Sequence, residues 1–482
     1  MRRFWIGLAG LLTAGAVRTQ ENFGSLSSNY RPTNSVFINP SSMLDSKTWL
    51  DINLVGAGVF GMNNLASLDG TNYSRILRTQ TFPEDVEYHQ GKRKYHAYNR
   101  NFIQGPAAVW SQGDHAAGLS FGARSFTDAR GITNYMGLFI EYGVQEYDPQ
   151  HGIDYSLKKV RINTINFGEI KGSYAYTFLK KKRDMLMVGI SISKFISLYG
   201  SAANVRQFDF NVQNDTTASV FDLQAGTMFM EEANIYGRGG MGLDIGFTYQ
   251  RMLREAATYF PNSKRMGCRT VPYLYKVGFS IMDIGAVKFD EDAGTFIGYD
   301  FQGYTWQQYA DQEFNEDNPA DLFLSQQSNP DESFIKKKFS IKLPTFVSLQ
   351  ADYNIWASRV YANLTWVQGL GHGKNTFGVR RANSIALTPR FESRFFDFAL
   401  PISLYEYRHP QIGISLRFWF LTIGTDKLLS WIAKTDVYGG DIYAHVKIPL
   451  FYSPKCRSKM KSASNYSPEN LRRRSHDCDA YN

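Results

Sequence analysis

Apart from a short stretch near the start, the chain has no long apolar run. Nothing in its 482 residues approaches the ~18 consecutive apolar residues that a membrane helix needs. Cysteine is scarce, at three residues, and the first is Cys268, so no lipidation cysteine follows the N-terminal apolar stretch. None of the eight histidines sits in an H-E-x-x-H pattern, and no G-x-S-x-G elbow occurs. Gly237-Arg-Gly-Gly-Met-Gly242 has the outline of a dinucleotide loop but leads into a strand pattern, not a helix. These absences argue against an enzyme, and no catalytic residue, metal site or cofactor is assigned. Charged residues make up only 20%, and the net charge of +9 is spread along the chain without a basic helix, which argues against nucleic acid as a partner.

What the chain does have is alternation. Asp441 to Tyr452 reads DIYAHVKIPLFY. Ile442, Ala444, Val446 and Ile448 fall on one face, and Asp441, Tyr443, His445 and Lys447 on the other, because a strand turns successive side chains to opposite faces. Leu50, Ile52 and Leu54 alternate with Asp51, Asn53 and Val55; Leu119, Phe121 and Ala123 with Ser120, Gly122 and Arg124; Ile190 and Ile192 with Ser191 and Ser193. The pattern recurs at Leu243–Gln250, at Tyr275–Met282, at Val347–Tyr353 and from Gln411 to Phe420, where Trp419 falls on the face of Arg417. Aromatics at 15% and 41 glycines suit aromatic girdles and tight turns. Together these features predict an all-β fold: a transmembrane antiparallel β-barrel of roughly 14 strands (12–16) over residues 47–452. The competing fold, a soluble sandwich, would bury the apolar face and expose the polar one. On the barrel reading the lumen candidates are Asp51, Asn53, Arg124, Asp244, Lys276, Asp352, Arg417 and Lys447. His445 is read as a luminal histidine hydrogen-bonded near Asp441 or Lys447.

The flanks carry further expectations. Arg2 and Arg3 precede an apolar run from Phe4 to Val17, and Ala14-Gly15-Ala16 offers a cleavage site, so residues 1–20 read as a signal peptide. Residues 21–46 read as an N-terminal hatch or a periplasmic segment. Within them Asn39-Pro40 marks a helix start, with Asn as cap and Pro at the first helical position, and Asn39, Pro40 and Ser41 are the hatch candidates. Gln112-Gly113-Asp114 and Leu179–Asp184 read as tight turns, and long loops are placed near 62–104 and 290–338. Residues 290–332 hold eleven acidic side chains and no Lys or Arg, but lack the spacing of a calcium loop and read as a solvated surface with one short helix from Pro319. Residues 453–482 form a basic periplasmic tail with seven Lys or Arg against three acidic residues. Cys456 and Cys478 lie in it as a candidate disulfide, leaving Cys268 single.

Asn39-Pro40-Ser41 resembles the NPA element near the start of FadL-type long-chain fatty-acid channels, whose relatives include the PorV-like barrels of Bacteroidota. Residues 38–56, 240–250, 275–289, 343–353, 388–404 and 412–430 resemble a family of uncharacterised Bacteroidota outer-membrane proteins. This chain has Ser41 where FadL-type proteins usually have Ala. The resemblance implies a barrel in the outer membrane of a Gram-negative cell, surrounded by lipid. It implies no settled activity; the FadL-type likeness, the candidate hatch and the lumen of small and polar residues together favour a channel for a hydrophobic or amphiphilic small molecule, with a structural or secretion-associated barrel that docks periplasmic or surface protein partners as the alternative. One expectation is testable from sequence alone: non-reducing peptide mapping should recover a peptide joining Cys456 to Cys478, and free thiols at both positions would exclude the bond.

Overall fold

The computed structural model describes residues 22–44, 46–80, 86–88, 94–133, 151–214, 217–229, 239–257, 259–263, 272–289, 295–307, 334–336, 338–356, 358–373 and 376–454. The N-terminal apolar run, most of the acidic loop with its proposed helix, the tail beyond Pro454 and all three cysteines lie outside them. No helix among the described residues is long and apolar enough to cross a membrane.

Fourteen antiparallel strands close into one barrel. They are β1 Leu50–Asn63, β2 Tyr95–Gln112, β3 His115–Ile132, β4 Asp154–Lys181, β5 Asp184–Asn214, β6 Gly239–Met252 and β7 Tyr273–Phe289. β8 is Phe346–Trp356, preceded by a short paired stretch Phe339–Lys342; β9 is Val360–Gly369 and β10 Ser384–Glu392. β11 is Phe396–Ala399 continued as Ile402–Tyr405, and β12 is His409–Ile412 continued as Ile414–Phe418. β13 is Leu421–Thr425 and β14 Gly439–Leu450. Closure comes from β1, which pairs with β2 on one side and with β14 on the other, Ile52 opposite Ile448. A closed barrel leaves no unpaired edge, the condition for strands to cross hydrocarbon.

The alternation sorts the two faces as a membrane requires. Leu119, Ile190, Ile192, Phe279, Leu349, Leu387 and Ile448 are exposed on the outside, while Ser120, Ser191, Ser193, Ser280 and Ser348 are buried within. A soluble sandwich would reverse this. The end bearing the start of β1 and the end of β14 has tight turns: Gly113-Asp114, Lys182-Arg183 and Trp419-Phe420 each join two strands. The opposite, far end carries most of the long connections, while residues 253–272 join β6 to β7 at the near end.

Some expectations need correcting. Val55 does not share a face with Asp51 and Asn53. The β1–β14 register slips between Asn53 and Val55, so Leu54 and Val55 both point outward, 47% and 49% exposed, as a bulge allows by adding one unpaired residue. Trp419 is not on the inner face with Arg417; it sits in the two-residue turn with φ 50° and is exposed. The loop placed near 62–104 is shorter, spanning 64–94, because β2 already begins at Tyr95. The upper part of β2 carries His96, Asn99, Arg100 and Asn101, which hides it from a search for apolar alternation. Finally, β4 and β5 run for 28 and 31 residues. At roughly 3.3 Å per residue they far exceed the ~9–11 residues needed to cross a bilayer. Their far ends project as a sheet, widened by strands Thr217–Phe229 and Thr295–Gln307, the latter inside the acidic connection.

The closure register is testable. With Cys268, Cys456 and Cys478 replaced by Ser, the pair Ile52→Cys with Ile448→Cys should form an intramolecular disulfide under mild oxidation. Ile52→Cys with Ile442→Cys should not. Equal cross-linking of both pairs would contradict the register.

Candidate functional site inside the barrel

Residues 22–49 do not leave the barrel. They fold inside it as three single turns: Phe23–Leu26, Pro32–Ser35 and the 3-10 turn Pro40–Met43. Such short turns are not stable alone, and their order comes from what they touch. Asn39 caps the third turn, its side chain accepting from the Ser41 N–H. Its Nδ2 donates to the Phe247 carbonyl at 3.1 Å and to Gln350 Oε1 at 3.0 Å, while the Ser41 hydroxyl lies 2.7 Å from that of Thr248. The turn comes this close because glycines face it. A Cβ on Gly189 would stand 2.3 Å from the Ser41 nitrogen, and one on Gly246 would stand 2.1 Å from Asn39 Oδ1.

The rest of the segment is tied down by charged groups on the inner wall. Asp51 accepts from the backbone N–H of Thr33 at 3.2 Å and from its hydroxyl, and pairs with Lys447, which also reaches the Thr33 hydroxyl. Asp397 accepts from Ser28 at 3.0 Å, from Arg31 at 3.5 Å and from Arg417 in a two-pronged pair of 2.6 and 2.7 Å. Glu392 accepts from the backbone and side-chain amides of Asn29 at 3.0 and 2.9 Å. Arg390 bridges Glu392 and Asp352, the latter by two bonds of 2.6 and 2.7 Å, and Tyr273 donates to Asp352. Lys276 donates to Asn29 Oδ1 at 2.8 Å. Asp426 accepts from the Phe23 N–H at 3.0 Å, and burial raises this carboxyl well above its ordinary range. Burial likewise raises the Tyr30 phenol and lowers the Arg31 guanidinium.

Two lumen candidates belong to a second cluster. Arg124 pairs with Asp283 at 2.8 Å and with Glu169 at 2.9 Å; Lys171 pairs with Asp244 at 2.8 Å and with Glu169 at 3.4 Å. Lys171 also sits 4.7 Å from the Phe37 ring of the inner segment. Asn53 donates to the Gly105 carbonyl at 3.0 Å, a bond within the wall itself. His445 corrects the sequence reading. It is buried, but neither ring nitrogen has a hydrogen-bond partner, and its ring stacks on Phe102 with centroids 5.7 Å apart. Gly56 makes the space: a Cβ there would lie 2.2 Å from Nδ1.

A further insertion enters from the far end. The connection after β9 turns into the barrel, where Asn163 donates to the Gly378 carbonyl at 3.2 Å and the Arg380 N–H to Asp128 at 3.2 Å. Val379 joins the apolar cluster of Phe126, Phe167 and Phe195, and Arg381 stacks on Phe346 at 3.7 Å. Burial lowers the Arg381 guanidinium to about 9. At the opposite end Met43, Leu44, Tyr259 and Met252 form an apolar floor. Among the described residues, two cavities border the segment. One lies between the segment and the wall near Gln350, Lys276 and Met187. The other lies between the segment, Arg381 and the β2–β3 wall.

Sequence reasoning missed Arg390, Glu392, Asp397, Glu169, Lys171 and Asp283. The first five were within reach, since each alternates with outward apolar neighbours: Glu169 and Lys171 flank Ile170, and Phe391 stands between Arg390 and Glu392. Asp283 lies at a register shift, which breaks the alternation.

Two outcomes follow. Arg390→Met leaves Asp352 and Glu392 buried without their shared cation and should cost about 3–5 kcal/mol of stability, measured by urea unfolding; a loss near zero would contradict this. Gly189→Val should unseat the Pro40–Met43 turn and expose residues 22–49 to protease in a barrel that still shifts on gels with heating. Unchanged protection would contradict the seating.

A family model described as a family of unknown function, DUF5723, matches residues 40–426. No curated protein matches the chain. Among solved structures, a Pseudomonas aeruginosa FadL homologue is 10% identical over 91% of this chain and 99% of its own, with a TM-score of 0.38. The P. putida toluene transporter TodX is 9% identical over 86% and 91%, at 0.36. The translocator domain of the autotransporter NalP from Neisseria meningitidis is 7% identical over 85% and 91%, at 0.30. At such scores the barrel assignment rests on the strand pairing itself. The family match covers most of the chain, and the protein belongs to the DUF5723 family.

Proposed function

We propose that this protein is a non-enzymatic outer-membrane channel for a hydrophobic or amphiphilic small molecule, with residues 22–46 as its hatch. The observation that carries the reading is the inner segment: a barrel with a lipid-type outer face holds a separate stretch of chain in its lumen, flanked by two cavities. A barrel that served only as a scaffold would need neither. In this reading the end with tight turns faces the periplasm and the long connections face outward, as in outer-membrane barrels generally. The hatch is held by hydrogen bonds and ion pairs together with the apolar packing of Phe23, Val36, Ile38, Met43 and Leu44.

The projecting sheet of β4 and β5 favours a second role, docking a partner at the outer surface. Tyr155, Phe208 and Phe210 stack there, with centroids 5.1 and 4.5 Å apart.

Deleting residues 30–46 should raise conductance in planar bilayers well above that of the intact protein. Unchanged conductance in a deletion variant that still runs as a heat-shifted barrel would argue against the hatch. Liposomes holding the intact protein should also take up a neutral hydrophobic dye faster than protein-free liposomes; equal rates would argue against the channel.

A further inference from the structure

The tight turn between β4 and β5 carries more charge than the joining of two strands needs. It reads Lys180-Lys-Lys-Arg183. Lys180 turns to the floor of the barrel, where its ammonium donates to the Tyr259 carbonyl and lies 4.0 Å from the centre of the Phe260 ring. Lys181, Lys182 and Arg183 are exposed. The charges around them cancel among themselves: Asp114 pairs with Lys180, Asp184 with Arg251 at 2.6 Å, and Arg254 adjoins Glu255 in the connection behind. Among the described residues this leaves Lys181, Lys182 and Arg183 without a carboxylate of their own. The turn is also fixed in place. Lys182 stands in the left-handed region at φ 51°. Its carbonyl accepts from the Ala256 N–H at 2.5 Å, and the Arg183 carbonyl accepts from the Met252 N–H at 2.7 Å. The three cations are therefore presented from an ordered backbone, which lowers the cost of binding to them.

Directly above the turn, the outer face of β4 is apolar and irregular. Tyr174 and Tyr176 point outward, and the Tyr174 hydroxyl lies 2.8 Å from Nδ1 of His115 on β3. Aromatic side chains on the outer face near a strand end mark the head-group level of a bilayer. The pairing with β5 then slips between Thr177 and Leu179. As a bulge allows, Phe178 and Leu179 both point outward, 69% and 48% exposed. Further up the same strand Gly172 leaves a notch between Leu119 and Ile192, its outward partners on β3 and β5, and a Cβ there would meet nothing within 4 Å. One column of the wall thus runs from three uncompensated cations, past two adjacent apolar side chains, to an apolar notch.

We propose that this outer face of the wall binds an acidic phospholipid of the periplasmic leaflet. Its phosphate sits on Lys181, Lys182 and Arg183, and its acyl chains run along Leu179 and Phe178 toward the notch at Gly172. The chemistry matches at both ends. Two ammonium groups and a guanidinium fork suit a phosphodiester, and a cation beside a membrane-spanning segment draws an anionic head group by about fivefold in affinity per charge. A zwitterionic head group, whose own cation opposes the turn, gains far less. The proposal takes from the reading above only the orientation, with the tight turns toward the periplasm. It concerns the outside of the barrel and is independent of what crosses the lumen.

The test is native mass spectrometry of the full-length protein in a neutral maltoside detergent, titrated with dioleoyl phosphatidylglycerol, dioleoyl phosphatidylethanolamine or glycerol 3-phosphate. Phosphatidylglycerol should bind about tenfold or more tightly than phosphatidylethanolamine, and glycerol 3-phosphate should not bind. The combined change Lys181→Gln, Lys182→Gln and Arg183→Gln should abolish that preference. All three side chains are exposed, so the variant should still run as a heat-shifted barrel. Lys181→Arg with Lys182→Arg should keep the preference. Arg75→Gln with Arg78→Gln, on the helix Tyr73–Thr79 at the far end, should also leave it intact. Phe178→Ser with Leu179→Ser should weaken both lipids. Equal affinity for the two lipids, or a preference that survives the triple change, would overturn the proposal, as would its loss in the far-end variant. Glycerol 3-phosphate binding as tightly as phosphatidylglycerol would overturn the lipid and leave a site for a free anion. None of these readouts involves transport, so a failure of the channel reading in the conductance and dye assays is distinguishable from a failure here.

Discussion

The constraint on which the rest depends is the satisfaction of buried polar groups. Residues 22–49 bring backbone amides, carbonyls and charged side chains into a space largely shut off from water, and each costs free energy unless it is bonded. The barrel answers with Asp51, Glu392, Asp397 and Asp426, which accept from Thr33, Asn29, Ser28 and Phe23 in turn. Three of those carboxylates are themselves held by cations: Asp51 by Lys447 and Asp397 by Arg417 from neighbouring strands, and Glu392 by Arg390 two residues along its own strand. In these three pairs one member bonds to the inner segment and the other fixes it.

The same logic places the glycines. Gly189 and Gly246 sit on the inner face of adjacent strands, where the capped Pro40–Met43 turn touches the wall, and any side chain at either would collide with it. The apolar floor of Met43, Leu44 and Tyr259 closes the end below. With Val379 and Arg381 entering from the far end, the lumen holds two chain segments and two cavities. One of these cavities borders both segments.

Much of this was legible in the sequence, for one physical reason. The period of two is rigid, so a charged residue flanked by exposed apolar ones in a barrel strand has to point inward. Asp51, Lys276, Asp352, Arg417 and Lys447 could be placed on the inner face on that ground. Which of them meet could not, because their contacts join residues hundreds of positions apart and depend on barrel closure. Bulges defeated the rule locally: one extra residue moved Val55 outward and hid Asp283. His445 shows another limit, since its parity puts it inside but only the spatial neighbourhood of Gly56 and Phe102 shows that no partner reaches it. The entry of residues 377–381 into the lumen had no periodic signal at all, as it is irregular chain ordered by contacts with Asp128 and Asn163.

The most direct test of the central claim is cross-linking of Asn39→Cys to Gln350→Cys in intact outer membranes, in a background without native cysteines, using a short bis-maleimide. An efficient intramolecular cross-link is expected, because these side chains meet inside the closed barrel at 3.0 Å. No cross-link, with the cysteine at position 39 freely labelled by a bulky reagent from the periplasm, would mean that the segment lies outside the lumen, and the account built on it would fail.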